Sequence, residues 1–137
     1  MIVVDTGVLL GAADADDQDH DRCAGLLREH RGEFRVPAPV VPETAWQIER
    51  NLGPMAEARF LRLITAGELI VVDLVLGDYA RCADLIETYA DMSLGFVDAS
   101  VVAVAENLAV ATIATLNRRD FSVVRPDHHL RAFELVP

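Results

Sequence analysis

The sequence predicts an α/β protein built on a parallel sheet covered by helices on both faces. Two observations carry that prediction. Short apolar runs of strand length alternate along the chain with amphipathic segments of helical period, the pattern of βαβ units. The chain is also 52% hydrophobic over 137 residues, enough for one core and too short for a second domain.

The elements follow in order. Ile2 to Val4 is a strand, and Asp5-Thr6-Gly7 turns it into a short helix through Ala13. The acidic stretch Asp14 to Asp21 reads as a solvated loop or helix start, and Cys23, Ala24, Leu26 and Leu27 form a helical stripe ending near Gly32. Phe34 to Val36 is a second strand. Pro42 suits the first turn of the helix carrying Glu43, Ala45, Trp46 and Ile48, which Gly53-Pro54 breaks. Met55 to Thr65 is amphipathic, Gly67 caps it, and Leu69 to Val72 is a third strand. Asp78 to Tyr89 and Asp98 to Leu108 are helices, the second the most apolar of all. Ala111 to Thr115 is a fourth strand and Phe133 to Val136 a last one. Ligands of such sheets bind beyond the carboxyl ends of the strands, where Asp5 sits.

Charge narrows the function. A formal net charge of −10 opposes broad affinity for nucleic acid, so a polyanionic substrate would need a local reversal of the field. Every basic side chain except histidine is Arg. The absence of Lys excludes a P-loop and the aspartate-plus-lysine phosphate chemistries in their usual form. Cys23 and Cys82 suit free, buried thiols, and His20, His30, His128 and His129 have no zinc-ligand spacing and read as surface residues. Met1 runs directly into a strand, and no apolar stretch approaches the ~20 residues of a membrane span, so a cytoplasmic protein is expected.

Four acids stand where apolar runs give way to turns or helix starts: Asp5, Glu43, Asp98 and Asp120. Each has a bland reading. Asp5 suits an N-cap, Glu43 and Asp98 a first helical turn, and Asp120 pairing with Arg118 and Arg119. An acid bordering a core segment is nonetheless costly unless paired or holding a cation, and Asp98 opens a helix whose neighbours must be buried. The run from Asp14 to Asp21 lacks the glycine and closing Glu of a calcium loop.

These residues carry a resemblance. MIVVDTGVLLGAAD, VPAPVVPETAW, LGFVDASVVAVAE and ATIATLNRRDF resemble, in order and spacing, the PIN-domain ribonucleases, most closely VapC toxins of bacterial toxin–antitoxin pairs. The resemblance spans the chain and implies one PIN domain over residues 1–137, with about five parallel strands flanked by helices and an acidic metal pocket. It assigns Asp5, Glu43, Asp98 and Asp120 as catalytic, metal-holding acids and Thr6 and Thr115 as supporting hydroxyls. Many relatives have an acid where this chain has Asn117 and a His where it has Asp120, so which of the two lies nearer the metal is open. Gly7 stands where relatives often have Ser or Asn.

Carboxylates are hard ligands suited to Mg²⁺ or Mn²⁺, and a bound dication can activate water for in-line attack on a phosphodiester. Arg118 and Arg119 are the first candidates for RNA contact, with Arg22, Arg50 and Arg59 behind them. The expected function is a metal-dependent endoribonuclease toxin that cleaves structured RNA, such as a tRNA or rRNA loop, and is inhibited by a VapB-like antitoxin. Its rivals are a catalytically inert PIN-fold binding module and a small-molecule phosphatase. The apolar surplus, with the helices around Trp46, Phe60 and Leu63 as its sources, predicts a homodimer and a groove for an antitoxin helix.

Overall fold

The computed structural model describes residues 1–127 and 132–137. Its sheet has five parallel strands in the order β3-β2-β1-β4-β5. These are β1 (Ile2–Val4), β2 (Phe34–Pro37), β3 (Leu69–Val72), β4 (Thr112–Ala114) and β5 (Glu134–Val136). The strand nearest the N-terminus is therefore the centre of the sheet. Val3 lies between Arg35 and Ile113, and all three residues of β1 are buried. That position requires the uninterrupted apolar run Ile2-Val3-Val4, because a central parallel strand is covered on both faces.

From β1 the chain winds outward through β2 to β3 and then crosses back to β4. Right-handed crossovers place the helices of those two halves on opposite faces. One half contributes α1 (Thr6–Ala13), α2 (His20–Glu29), α3 (Val40–Leu52) and α4 (Pro54–Thr65). The other contributes α5 (Leu76–Thr88), a 3₁₀ turn at Ala90–Met92 and α6 (Phe96–Asn107). Helix α6 packs against β1, β2 and β4 with α5 behind it. Seven consecutive residues, Ala99–Ala105, are buried, which explains why this helix is apolar on every side. A four-residue helix, α7 (Arg118–Phe121), follows β4.

Several expectations shift. Helix α6 begins at Phe96 behind Gly95, so Asp98 is its third residue rather than its opener. Phe60 is core and Leu63 half-buried, so neither is the exposed apolar surface expected of it; α3 and α4 instead expose Trp46, Leu52, Met55 and Leu61. Trp46 is packed by the guanidinium of Arg50, 5.3 Å from the ring centroid. His20 and His30 are half-buried, because His20 Nδ1 bonds the Gly11 carbonyl at 2.9 Å and His30 pairs with Glu33; His128 and His129 lie outside the described residues. The acidic loop is folded into Asx turns, Asp14 accepting from the Asp16 N–H and Asp17 from that of Asp19. Both cysteines are buried and free, and burial pushes the Cys82 thiol up to about 11, leaving it inert. Gly67 ends α4 at φ +80°, a conformation that favours glycine.

Candidate active site

The strand order reverses at β1 and β4, and the chain leaves both strands toward the same edge of the sheet. Asp5 follows β1 and Thr115 follows β4, which puts a carboxylate and a hydroxyl side by side at the switch point. The Thr115 hydroxyl donates to Asp5 Oδ2 at 3.0 Å, and the Thr6 backbone N–H donates to Oδ1 at 2.8 Å. Asp5 thus is an N-cap, as the bland reading held, and its second oxygen is fixed across the sheet.

The other acids arrive by the same device. Glu43 lies in the first turn of α3, Asp98 in the first turn of α6, and Asp120 in α7. The positive ends of these helix dipoles stabilise carboxylates there. The four interact in a chain: Glu43 raises Asp5, Asp98 raises Glu43, and Asp5 and Asp120 raise Asp98. Burial is the largest cause for Asp5, Glu43 and Asp98 alike, and it pushes Asp98 up to about 6 against the opposing hydrogen bond from the Gly95 backbone. Among the described residues no Arg or His is within ion-pair distance of Asp5, Glu43 or Asp98. Among the described residues, then, no cation relieves the repulsion at these three acids.

Among those residues no group of three or more His, Cys, Asp or Glu is arranged as a ready-made ion cage. Glu43 borders an open depression, Asp5 is buried, and Asp98 and Asp120 are half-buried. Their chemistry fits a hydrated hard dication: the donors are all carboxylates, they repel one another, and Thr6 Oγ1 beside Asp5 is buried with no hydrogen-bond partner.

Asn117 and Asp120 are a unit. The Asn117 N–H donates to Thr115 Oγ1 at 3.0 Å, its Nδ2 donates to Asp120 Oδ2 at 3.0 Å, and its Oδ1 accepts from the Asp120 N–H at 3.3 Å. Hydrogen bonds therefore connect Asp120 to Asp5 through Asn117 and Thr115. Arg118 turns away, donating to the Leu135 and Pro137 carbonyls, whereas Arg119 is 90% exposed with its Nε 3.6 Å from Asp120. Arg22 is held by Asp19.

The sequence reading passed over two features. Gln47 donates to Glu43 at 3.3 Å, a contact its i+4 spacing on a helix signals. Beside Glu43 lies an open depression of about 730 Å³ walled by Pro39, Pro42, Asp73, Tyr79 and Phe96, residues of separate elements that no local pattern connects. A separate apolar groove of about 260 Å³ lies between α1, α2 and α4, lined by Leu9, Ala12, Leu27, Phe60 and Leu63, with Arg59 beside them.

Comparison with known proteins agrees with this architecture. The profile of the PIN domain family matches residues 2–125. Ribonuclease VapC26 of Mycobacterium tuberculosis is 29% identical over 125 residues, covering 91% of this chain and 93% of that protein. The crystal structure of Mycobacterium tuberculosis VapC20, described as a sarcin–ricin loop cleaving toxin, superposes with a TM-score of 0.76 at 18% identity, over 82% of this chain and 87% of that one. A toxin–antitoxin complex from Klebsiella pneumoniae matches with a TM-score of 0.72 at 15% identity, over 90% and 92% of the respective chains. At those identities the two structures establish the fold.

Proposed function

Because this chain belongs to the PIN domain family, we propose that it is a metal-dependent endoribonuclease toxin that cleaves structured RNA, such as a tRNA or rRNA loop, and is held inactive by a VapB-like antitoxin. The observation that supports this reading is the mutual repulsion among Asp5, Glu43, Asp98 and Asp120, from distant segments near the switch point of the sheet, with no Arg or His among the described residues within ion-pair distance of the first three. A nearby similarity to a ribonuclease VapC supports the reaction, and the carboxylate chemistry supports Mg²⁺ or Mn²⁺. A bound dication would activate water and neutralise charge on the phosphodiester.

The chain's own residues divide the remaining work. Asp5, Glu43, Asp98 and Asp120 would hold the ion. Thr115 and the Thr6 N–H fix the rotamer of Asp5, and Asn117 fixes that of Asp120, so the acids are oriented before substrate arrives. Arg119, exposed at the rim and loosely paired with Asp120, meets phosphate; Arg118 holds the C-terminal strand unless RNA draws it out.

An antitoxin helix fits the groove between α1, α2 and α4, whose lining is apolar. The exposed Trp46, Leu52, Met55 and Leu61 of α3 and α4 supply surface for a homodimer. The test is incubation of purified protein with total RNA, with and without Mn²⁺, and mapping of new 5′ ends. Discrete metal-dependent ends absent with Asp98→Asn are expected. RNA binding without cleavage would leave the inert binding module as the answer.

A further inference from the structure

The depression next to Glu43 contains an arrangement that metal chemistry does not use. Tyr79 of α5 and Phe96 of α6 stack with ring centroids 5.9 Å apart and planes 17° from parallel, yet they remain 54% and 41% exposed. We propose that this depression takes one unstacked nucleobase of the RNA, adjacent to the phosphodiester held at the acids, with Tyr79 and Phe96 as its stacking platform. The inference rests on the nuclease reading above and adds how the substrate is gripped.

Three observations converge on a base as the occupant. The first is position. Phe96 stands two residues before Asp98 in the same helical turn, and Glu43 forms part of the wall, so platform and acids are built on shared elements. A phosphodiester at the acids carries its neighbouring base within reach of that wall. The second is charge. With a formal net charge of −10, the protein cannot draw affinity mainly from phosphate neutralisation, and uncharged stacking is the contact that remains for a polyanion. The third is the polar rim. Asp73, the lining carboxylate not assigned to the ion, is an acceptor, and nucleobase edges present amino and imino N–H donors. Pro39 and Pro42 complete a rigid apolar wall.

The rival occupant is a second copy of this chain, since Val75 and Leu76 are also exposed close by in sequence to Tyr79. Its consequences differ. The experiment uses full-length protein carrying Asp98→Asn to prevent cleavage, and a fluorescent single-stranded RNA 12-mer of mixed sequence. Tyr79→Ala and Phe96→Ala should each weaken binding roughly tenfold, while Phe96→Trp retains it. The affinity of the Asp98→Asn protein itself should fall only modestly between about 50 and 200 mM salt, because few phosphates are neutralised. Light scattering should give the same mass with and without the alanine substitutions. In the background with Asp98 intact, Tyr79→Ala should leave Mn²⁺ affinity unchanged.

Alanine variants that bind the 12-mer as well as their parent would overturn the proposal, as would a thousandfold loss of parental affinity across that salt range. If Tyr79→Ala and Phe96→Ala convert a dimer to a monomer without weakening RNA binding, the face belongs to a second copy. Failure of the nuclease reading is read separately: wild-type protein that binds the 12-mer through Tyr79 and Phe96 but produces no ends from total RNA would remove the activity and leave the platform.

Discussion

Replacing Asp98 by Asn should stabilise the metal-free protein while abolishing its activity. Burial first, then the charges of Asp5 and Asp120, raise this carboxyl from 3.8 to about 6. A rise of that size corresponds to about 3 kcal/mol of unfavourable ionisation at full strength. The site is partly open, and solvent screening reduces this to about 1.5 kcal/mol. The amide is nearly isosteric and still accepts from Gly95, so little is lost in return. For a domain of this size that is a gain of about 3–6 °C in Tm near pH 7.5.

The pH dependence follows from the sign of the shift. A carboxyl whose folded pKa lies above its unfolded value contributes stability only while protonated, so the wild type loses stability as pH rises from about 4 to about 6. The advantage of Asp98→Asn should therefore be complete at about pH 7.5 and vanish at about pH 4. Differential scanning calorimetry in chelator measures both. Added Mn²⁺ should raise the Tm of the wild type, by binding the native state, and leave the variant unmoved. A variant less stable than wild type at neutral pH, or a gain that persists unchanged in acid, would refute the repulsion argument.

Other substitutions probe the same design. Asp120→Ala should weaken Mn²⁺ binding more than Asn117→Ala, because Asn117 acts by holding Asp120 Oδ2; calorimetric titration of both variants decides it, and the reverse order would make Asn117 the ligand. Thr115→Val removes a donor from Asp5 and from Asn117 its acceptor, and should cost about 1–3 kcal/mol by urea denaturation while reducing Mn²⁺ affinity. Gly11→Ala should destabilise by about 1–3 kcal/mol, since a Cβ would sit 2.9 Å from the buried Cys23 sulfur. Gly7→Ala, whose Cβ meets Leu116 only at 3.7 Å, should instead raise stability by up to about 1 kcal/mol through helix propensity; equal effects at Gly7 and Gly11 would contradict the packing of α1 on α2.

What the sequence made legible was what period and punctuation encode. The run Ile2–Val4, the break at Gly53-Pro54 and the apolar helix around Val101 and Val102 could be located because each uses a local rule. The helix α7 escaped because its four residues are too few to show a period, and its start depends on Asn117 accepting from the Asp120 N–H. The acids and the supporting Thr115 were singled out through motif resemblance, but the hydrogen bonds that join them were not legible. Thr115 bonds Asp5 across 110 residues of sequence, and only the parallel pairing of β1 with β4 brings them together. That α3 and α4 expose Trp46, Leu52, Met55 and Leu61 while Phe60 is core was not legible, because an amphipathic helix does not reveal which neighbour covers its apolar stripe.

The central place of β1 also governs when the candidate site becomes complete. Asp5 follows the first strand of the sheet, but β4, which positions its carboxylate, and the helix α7 bearing Asp120 come far later in sequence. Contacts of such long sequence separation form late and slowly, and chains of this kind fold as whole units. A partly synthesised or truncated chain therefore carries Asp5, Glu43 and Asp98 without the frame that aligns them. Alignment of the acids is thus switched on by completion of the sheet rather than by any one segment.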